Sequence, residues 1–174
     1  MIECSKRELI KKRIENTMSF PKRIYTLDEF AAARQCIASG YKHSLEIVGT
    51  PSFKKNLQLI LNLIHKADYY DNLRTYIRQI EEIDGISQLR EKEASIWLNA
   101  NVVNDRIEGA RFIVQKTEQM KAYLMAEKYY EQGELFAVKK SVAFLQYLRT
   151  KSISEELKKK CDTAIKLWTV DSIL

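Results

Sequence analysis

The stretch Leu45-Glu46-Ile47-Val48-Gly49-Thr50-Pro51-Ser52-Phe53 decides the reading of this chain, because its hydrophobic period changes within a few residues. Leu45 and Ile47 alternate with polar neighbours, the two-residue repeat of a half-buried strand. Thr50 is a good helix N-cap and Pro51 is pre-organised for the first helical position. Phe53, Leu57, Ile60, Leu61 and Ile64 then recur at helical spacing and form a broad apolar face, so this helix is expected at the centre of the fold. A lone strand leaves its backbone groups unpaired. The segment Ala94-Ser95-Ile96-Trp97-Leu98 is the expected partner.

Upstream, Gly40 ends a helix whose start is marked by Thr26-Leu27-Asp28-Glu29, a capping-box sequence, with Leu27, Phe30, Ala33 and Ile37 assigned to one face. Residues 5–17 form an amphipathic helical pattern in which Leu9, Ile10 and Ile14 stand among Lys6, Arg7, Lys11, Lys12 and Arg13. Downstream, Asp68 opens a helical pattern through Leu73, Tyr76, Ile77 and Ile80 that Asp84-Gly85 closes, giving an αα-hairpin with the helix before it. Beyond the Ala94–Leu98 strand, residues 86–103 carry no pattern that assigns them. A long helix over 105–131 is expected to turn Ile107, Ala110, Val114, Thr117, Met120 and Leu124 inward. After Gly133, a helix over 134–150 buries Leu135, Val138, Val142, Leu145 and Leu148. Ser152-Ile153-Ser154-Glu155 caps a last helix bearing Leu157, Cys161, Ala164 and Trp168.

The expected architecture is mainly α: one domain over 1–174, six or seven helices and at most a small two-stranded β element. Within it, 1–40 is a helical pair, 44–104 a strand, hairpin and irregular segment, and 105–174 an antiparallel three-helix unit. Composition agrees with this reading. Five Gly and two Pro leave little turn punctuation, and 45% apolar with 30% charged residues is the balance of a folding chain. Cys4, Cys36 and Cys161 are odd in number and far apart, which points to a reducing compartment. Residues 1–8 have no apolar stretch behind their charges, and no run approaches the ~18 apolar residues of a membrane span. A cytoplasmic chain without membrane association is expected.

Net charge is +6, and its placement matters more than its size. Residues 1–30 hold seven basic and five acidic side chains, 31–138 fourteen of each, and 139–174 eight and four. The excess therefore lies at the ends. A nucleic-acid reading would use Lys6, Arg7, Lys11, Lys12, Arg13, Lys158, Lys159 and Lys160 on phosphates, with the tyrosine pairs 69–70 and 129–130 as stacking surfaces. The simpler reading makes the lysines solvated faces and the tyrosines core residues with hydroxyls at the rim.

His43 and His65 have no Cys, Asp or Glu near them at zinc spacing, and the chain has no Gly-rich phosphate loop, Gly-x-Ser-x-Gly or Cys-x-x-Cys motif. One set of motifs resembles a known family. A strand running into Gly49-Thr50-Pro51-Ser52-Phe53 and two helices, followed later by Trp97 and another helix, resembles small zincin-type metallopeptidase proteins. In those a strand ending in Gly-Thr-Pro-Glu-Phe precedes a helical hairpin, and a Trp precedes a helix with His-Asp-x-x-His or His-Glu-x-x-His. The resemblance spans residues 44–148. It puts Asn104 and Glu108 where two metal-binding histidines would fall, Asp105 at the catalytic acid, and Glu134 near a third, acidic ligand. An amide and one carboxylate do not replace two imidazoles around zinc, so the resemblance implies an inactive member. Asp105-x-x-Glu108 is also an ordinary N-terminal helix arrangement, with negative charge at the positive end of the dipole.

The functional expectation is a non-enzymatic binding module with no cofactor and no metal. It would act through a protein partner or by self-association, for which nine Tyr, six Phe and two Trp supply anchors. A metal-dependent hydrolase with unusual ligands and a nucleic-acid binder are the alternatives.

Overall fold

The computed structural model describes residues 19–126 and 132–170. The helical pattern over 5–17, with Lys6, Arg7, Lys11, Lys12 and Arg13, lies outside the described residues, as do Cys4 and the tyrosine pair at 129–130. Thr26 caps α1 (Leu27–Ala38) as its sequence predicts: its hydroxyl accepts from Glu29 N, while the Glu29 carboxylate accepts from the Thr26 and Tyr25 amides at 2.8 and 2.7 Å. Those two amides hold the Glu29 carboxyl below its usual range. The buried side of α1 is Ala33 and Cys36; Leu27, assigned to that face from the sequence, is 87% exposed.

β1 (Glu46–Val48) begins one residue later than the Leu45 pattern suggests, because Leu45, buried in the core, has φ 60° and so leaves the extended conformation. Gly49 follows with φ 155°, and a Cβ there would lie 2.7 Å from Glu82 Cβ and 2.8 Å from Phe53 Cδ1. Thr50 then caps α2 (Pro51–Lys66), accepting from Phe53 N, while its own amide donates to Glu82 at 2.6 Å. The five apolar residues read from the sequence are all buried.

The expected helix over 68–84 is a correction. α3 spans only Tyr70–Tyr76, Ile77 leaves it with an extended backbone, and Gln79–Ile83 is β2. Ile77, Ile80 and Ile83 repeat every three residues, which imitates a helix. Pairing on both edges decides otherwise: β2 runs parallel to β1 on one side and to β4 (Ser95–Asn99) on the other. Ala94–Leu98 is therefore strand-forming but does not pair with β1, since β2 stands between them. β3 (Gln88–Arg90) and a 3₁₀ turn (Glu91–Glu93) precede β4, and β3 closes the sheet antiparallel in the order β1-β2-β4-β3. The sheet has four strands, not two.

α4 (Ala100–Asn104) leads into α5 (Arg106–Leu124), followed by α6 (Gln132–Lys151) and α7 (Glu155–Val170). With seven helices among the described residues the protein is mainly α. α5 packs against each of the other six helices and against β3. Ile107, Ala110, Val114, Thr117, Met120 and Leu124 are all buried, as their spacing requires. In α6 the inward set is Ala137, Ser141, Phe144, Leu145 and Leu148, while Leu135 is 40% exposed. No described helix is long and apolar enough to cross a membrane.

Candidate functional site

α5 starts at the surface, and the site is built around that start. Asp105, in an extended conformation, caps the helix by accepting from Ile107 N and Glu108 N at 3.0 and 3.1 Å. One turn on, Gly109 lets α2 approach, since a Cβ there would meet Ile60 Cδ1 at 2.5 Å. α7 lies on the other side. Between α2 and α7 runs a groove of about 1240 Å³, walled by Leu59 and Leu63 from α2 and by Leu157, Ala164, Leu167 and Trp168 from α7, with residues 104–108 as its floor.

At the inner end of the floor the polar groups bond to one another. Arg111, 1% exposed, places Nε 3.0 and 2.9 Å from the two Glu108 oxygens and Nη2 2.5 Å from one of them. Its Nη1 donates to Gln115 Oε1 at 2.7 Å and faces Ser141 Oγ at 3.5 Å. The guanidinium carbon lies 3.5 Å from the Trp168 ring centroid, and Trp168 Nε1 donates to Glu108 Oε2 at 3.0 Å. A buried cation is tolerated only when its donors are met, and here a carboxylate, an amide and an indole face meet them. Both Glu108 oxygens are engaged, so the carboxylate is not presented as a free base.

Of the residues the sequence nominates, Asn104, Asp105 and Glu108 come together on the groove floor. Asn104 is exposed and accepts a weak bond from Asn56 at 3.4 Å. Glu134 does not join them: it is exposed on the first turn of α6, near Lys116, where it opposes the lowering of that lysine's pKa by burial. Among the described residues no group of three or more His, Cys, Asp or Glu gathers in a way that could hold a metal ion. Lys158, Lys159 and Lys160 do not form one face. Lys158 pairs with Glu155, Lys160 pairs with Glu156, and Lys159 and Lys160 lie along the groove.

Elsewhere, burial lowers the pKa of His43 to about 4, helped by Arg78 and Arg74, and its Nε2 has no hydrogen-bond partner among the described residues. The His65 ring stacks on Tyr70 with centroids 3.6 Å apart. Cys161 is a buried free thiol pushed up to about 11 by burial, the opposite of an activated nucleophile. Burial and the Glu118 carboxylate likewise push the Tyr69 hydroxyl upward; that hydroxyl and Asn72 both donate to Glu118.

Arg111, Gln115 and Ser141 are residues of this polar cluster that sequence reading passes over. A faint signal exists: Glu108, Arg111 and Gln115 stand at i, i+3 and i+7, a polar stripe that Glu118 and Gln119 continue along the same side of the helix. Compared with protein families, curated proteins and solved structures, the chain matches none.

Proposed function

We propose that this chain is a non-enzymatic protein-binding module whose site is the α2/α7 groove, and that it is an inactive relative of zincin-type peptidases. The observation that supports this reading is the contrast between the groove's apolar walls and its internally satisfied floor. Of the positions that the resemblance assigns to metal ligands and to the catalytic acid, three are engaged otherwise and one lies apart. Asn104 faces Asn56, Asp105 caps α5, Glu108 holds Arg111 and Trp168, and Glu134 lies off the groove. What remains open to a ligand is apolar surface, at helical steps, between two helices. That suits the apolar side of a partner helix.

Trp168 reports on this site from its wall. In a Trp97→Phe background, a synthetic amphipathic helix of about fourteen residues, roughly four turns, with leucines at three- and four-residue steps should shift Trp168 emission saturably. Leu63→Glu and Leu167→Glu should abolish that shift while leaving far-UV circular dichroism unchanged. Binding that survives both substitutions would remove the groove from the account.

A further inference from the structure

We infer that the occupant of this groove is an acidic helix, an amphipathic segment of a different protein whose apolar side is flanked by Asp and Glu; this rests on the groove being a docking site. α2 contributes Lys54, Lys55 and Lys66 and no acidic residue across its 16 positions. Lys55, Leu59, Asn62, Leu63 and Lys66 follow one another at steps of four, three, one and three, so the half-buried Leu59 and Leu63 that face the groove stand between two exposed lysines on the same side of α2. Neither Lys55 nor Lys66 is in an ion pair among the described residues.

The opposite wall and the floor differ in how their charges are used. Glu156 is held by Lys160 at 2.8 Å and further by Arg106, and both interactions keep its carboxyl below the usual range. Glu108 is bound to Arg111, and Asp105 to the first amides of α5. Lys159 has no such partner among the described residues. The charges left for an incoming ligand are thus the cation at Lys159 on the α7 wall and those at Lys55 and Lys66, exposed on α2 one turn beyond either end of the wall that Leu59 and Leu63 form. Residues 139–174 add a longer-range positive field, with eight basic and four acidic side chains. An acid-flanked helix meets this arrangement with complementary charge on both sides, while a lysine-flanked one is repelled.

Isothermal titration with three synthetic helices of identical leucine spacing, flanked by Glu, Gln or Lys, tests the inference. At about 50 mM salt the Glu helix should bind at least about tenfold more tightly than the Lys helix, and the gap should narrow toward ~0.5 M salt as screening shortens. The triple variant Lys55→Glu, Lys66→Glu, Lys159→Glu should reverse the order. Equal binding of all three helices, lost on Leu167→Glu, would overturn the acidic preference and leave the docking reading intact; no binding by any of them would sink the docking reading itself. A Glu preference persisting in the triple variant would move the contact elsewhere. Two further outcomes count against the inference. One is a single-stranded oligonucleotide that outcompetes the Glu helix and is itself lost in the triple variant. The other is a dimer by light scattering that Leu167→Glu dissociates, which would make a second copy the occupant.

Discussion

His43 is 2% exposed, packed edge-on to Phe20 and Tyr41, with centroids 4.5 and 5.1 Å away. Its backbone is fixed to Arg74 in both directions: His43 N donates to Arg74 O at 2.8 Å, and Arg74 Nε donates to His43 O at 2.7 Å. The ring cannot swing out to water when it protonates, and the charges nearest it, Arg78 and Arg74, are both positive. Its folded pKa of about 4 lies below the 6.5 of an unburied histidine, so the unfolded chain binds the proton first as pH falls. Stability from this group is therefore full above pH ~6.5 and is lost progressively toward pH ~4, by up to about 3 kcal/mol. Urea unfolding of wild type and His43→Phe at pH 7 and pH 4.5 measures it, and the wild type should lose more; parallel pH dependence would mean the histidine contributes nothing. Gly49 is a second residue whose identity is dictated by its surroundings. Gly49→Ala places a methyl against Glu82 Cβ and Phe53 at a φ of 155°, and should cost about 2–4 kcal/mol in the same assay. A cost under ~0.5 kcal/mol, the scale of an ordinary surface change, would show that the β1–α2 junction relaxes freely.

Between elements, α5 approaches α2 closely at Gly109. A Cβ on Gly109 would meet Ile60 Cδ1 at 2.5 Å and the Val102 carbonyl at 3.1 Å. Gly109→Ala should destabilise by about 1–3 kcal/mol. Ile60→Val removes the offending methyl, so the cost of Gly109→Ala in that background should fall by roughly half, a non-additivity that a double-mutant cycle reads directly. Additive costs would place the strain at the carbonyl instead. These elements also show what a sequence makes legible. Thr26 with Glu29, Thr50 with Pro51, and Asp105 announce helix starts because capping is local chemistry, completed within three residues. The apolar steps of α2 and α5 were readable for the same reason. β2 was not: Gln79–Ile83 gains its hydrogen bonds from Glu46–Val48 and Ser95–Asn99, segments far along the chain. Its isoleucines keep a three-residue rhythm that suits either state. The groove is half legible, since Asn104, Asp105 and Glu108 stand out as a group of polar side chains at a helix start, while nothing local marks Leu59, Leu63 and Leu167 as neighbours across two helices. Arg111 was hidden because nothing local to it indicates that Glu108, Gln115, Ser141 and Trp168 converge on one guanidinium.

For the molecule as a whole, stability should be graded from α5 outward, and the groove sits on that gradient. α5 is enclosed by every other helix, whereas α7 buries Cys161 fully and Leu157, Ala164, Ile165 and Trp168 in part, leaving Lys166, Leu167 and Thr169 exposed. Its last turns are tied inward chiefly by Trp168, through the stack on Arg111 and the bond to Glu108. Local opening of such an element requires less free energy than global unfolding. Amide hydrogen exchange should therefore show residues 110–120 of α5 exchanging only through global unfolding and residues 164–169 of α7 exchanging by a smaller opening. Trp168→Leu removes both the cation–π contact and the indole donor, and should speed exchange over 164–169 by about 10- to 100-fold, with α5 still tracking the global value. Identical opening free energies for α5 and α7 would show the bundle to be one cooperative unit. Because Leu167 and Trp168 form the groove wall, any helix seated there must select the closed position of α7. The Glu-flanked helix should then slow exchange over 164–169 in proportion to its occupancy while leaving α5 unchanged, since only the element it touches is being held.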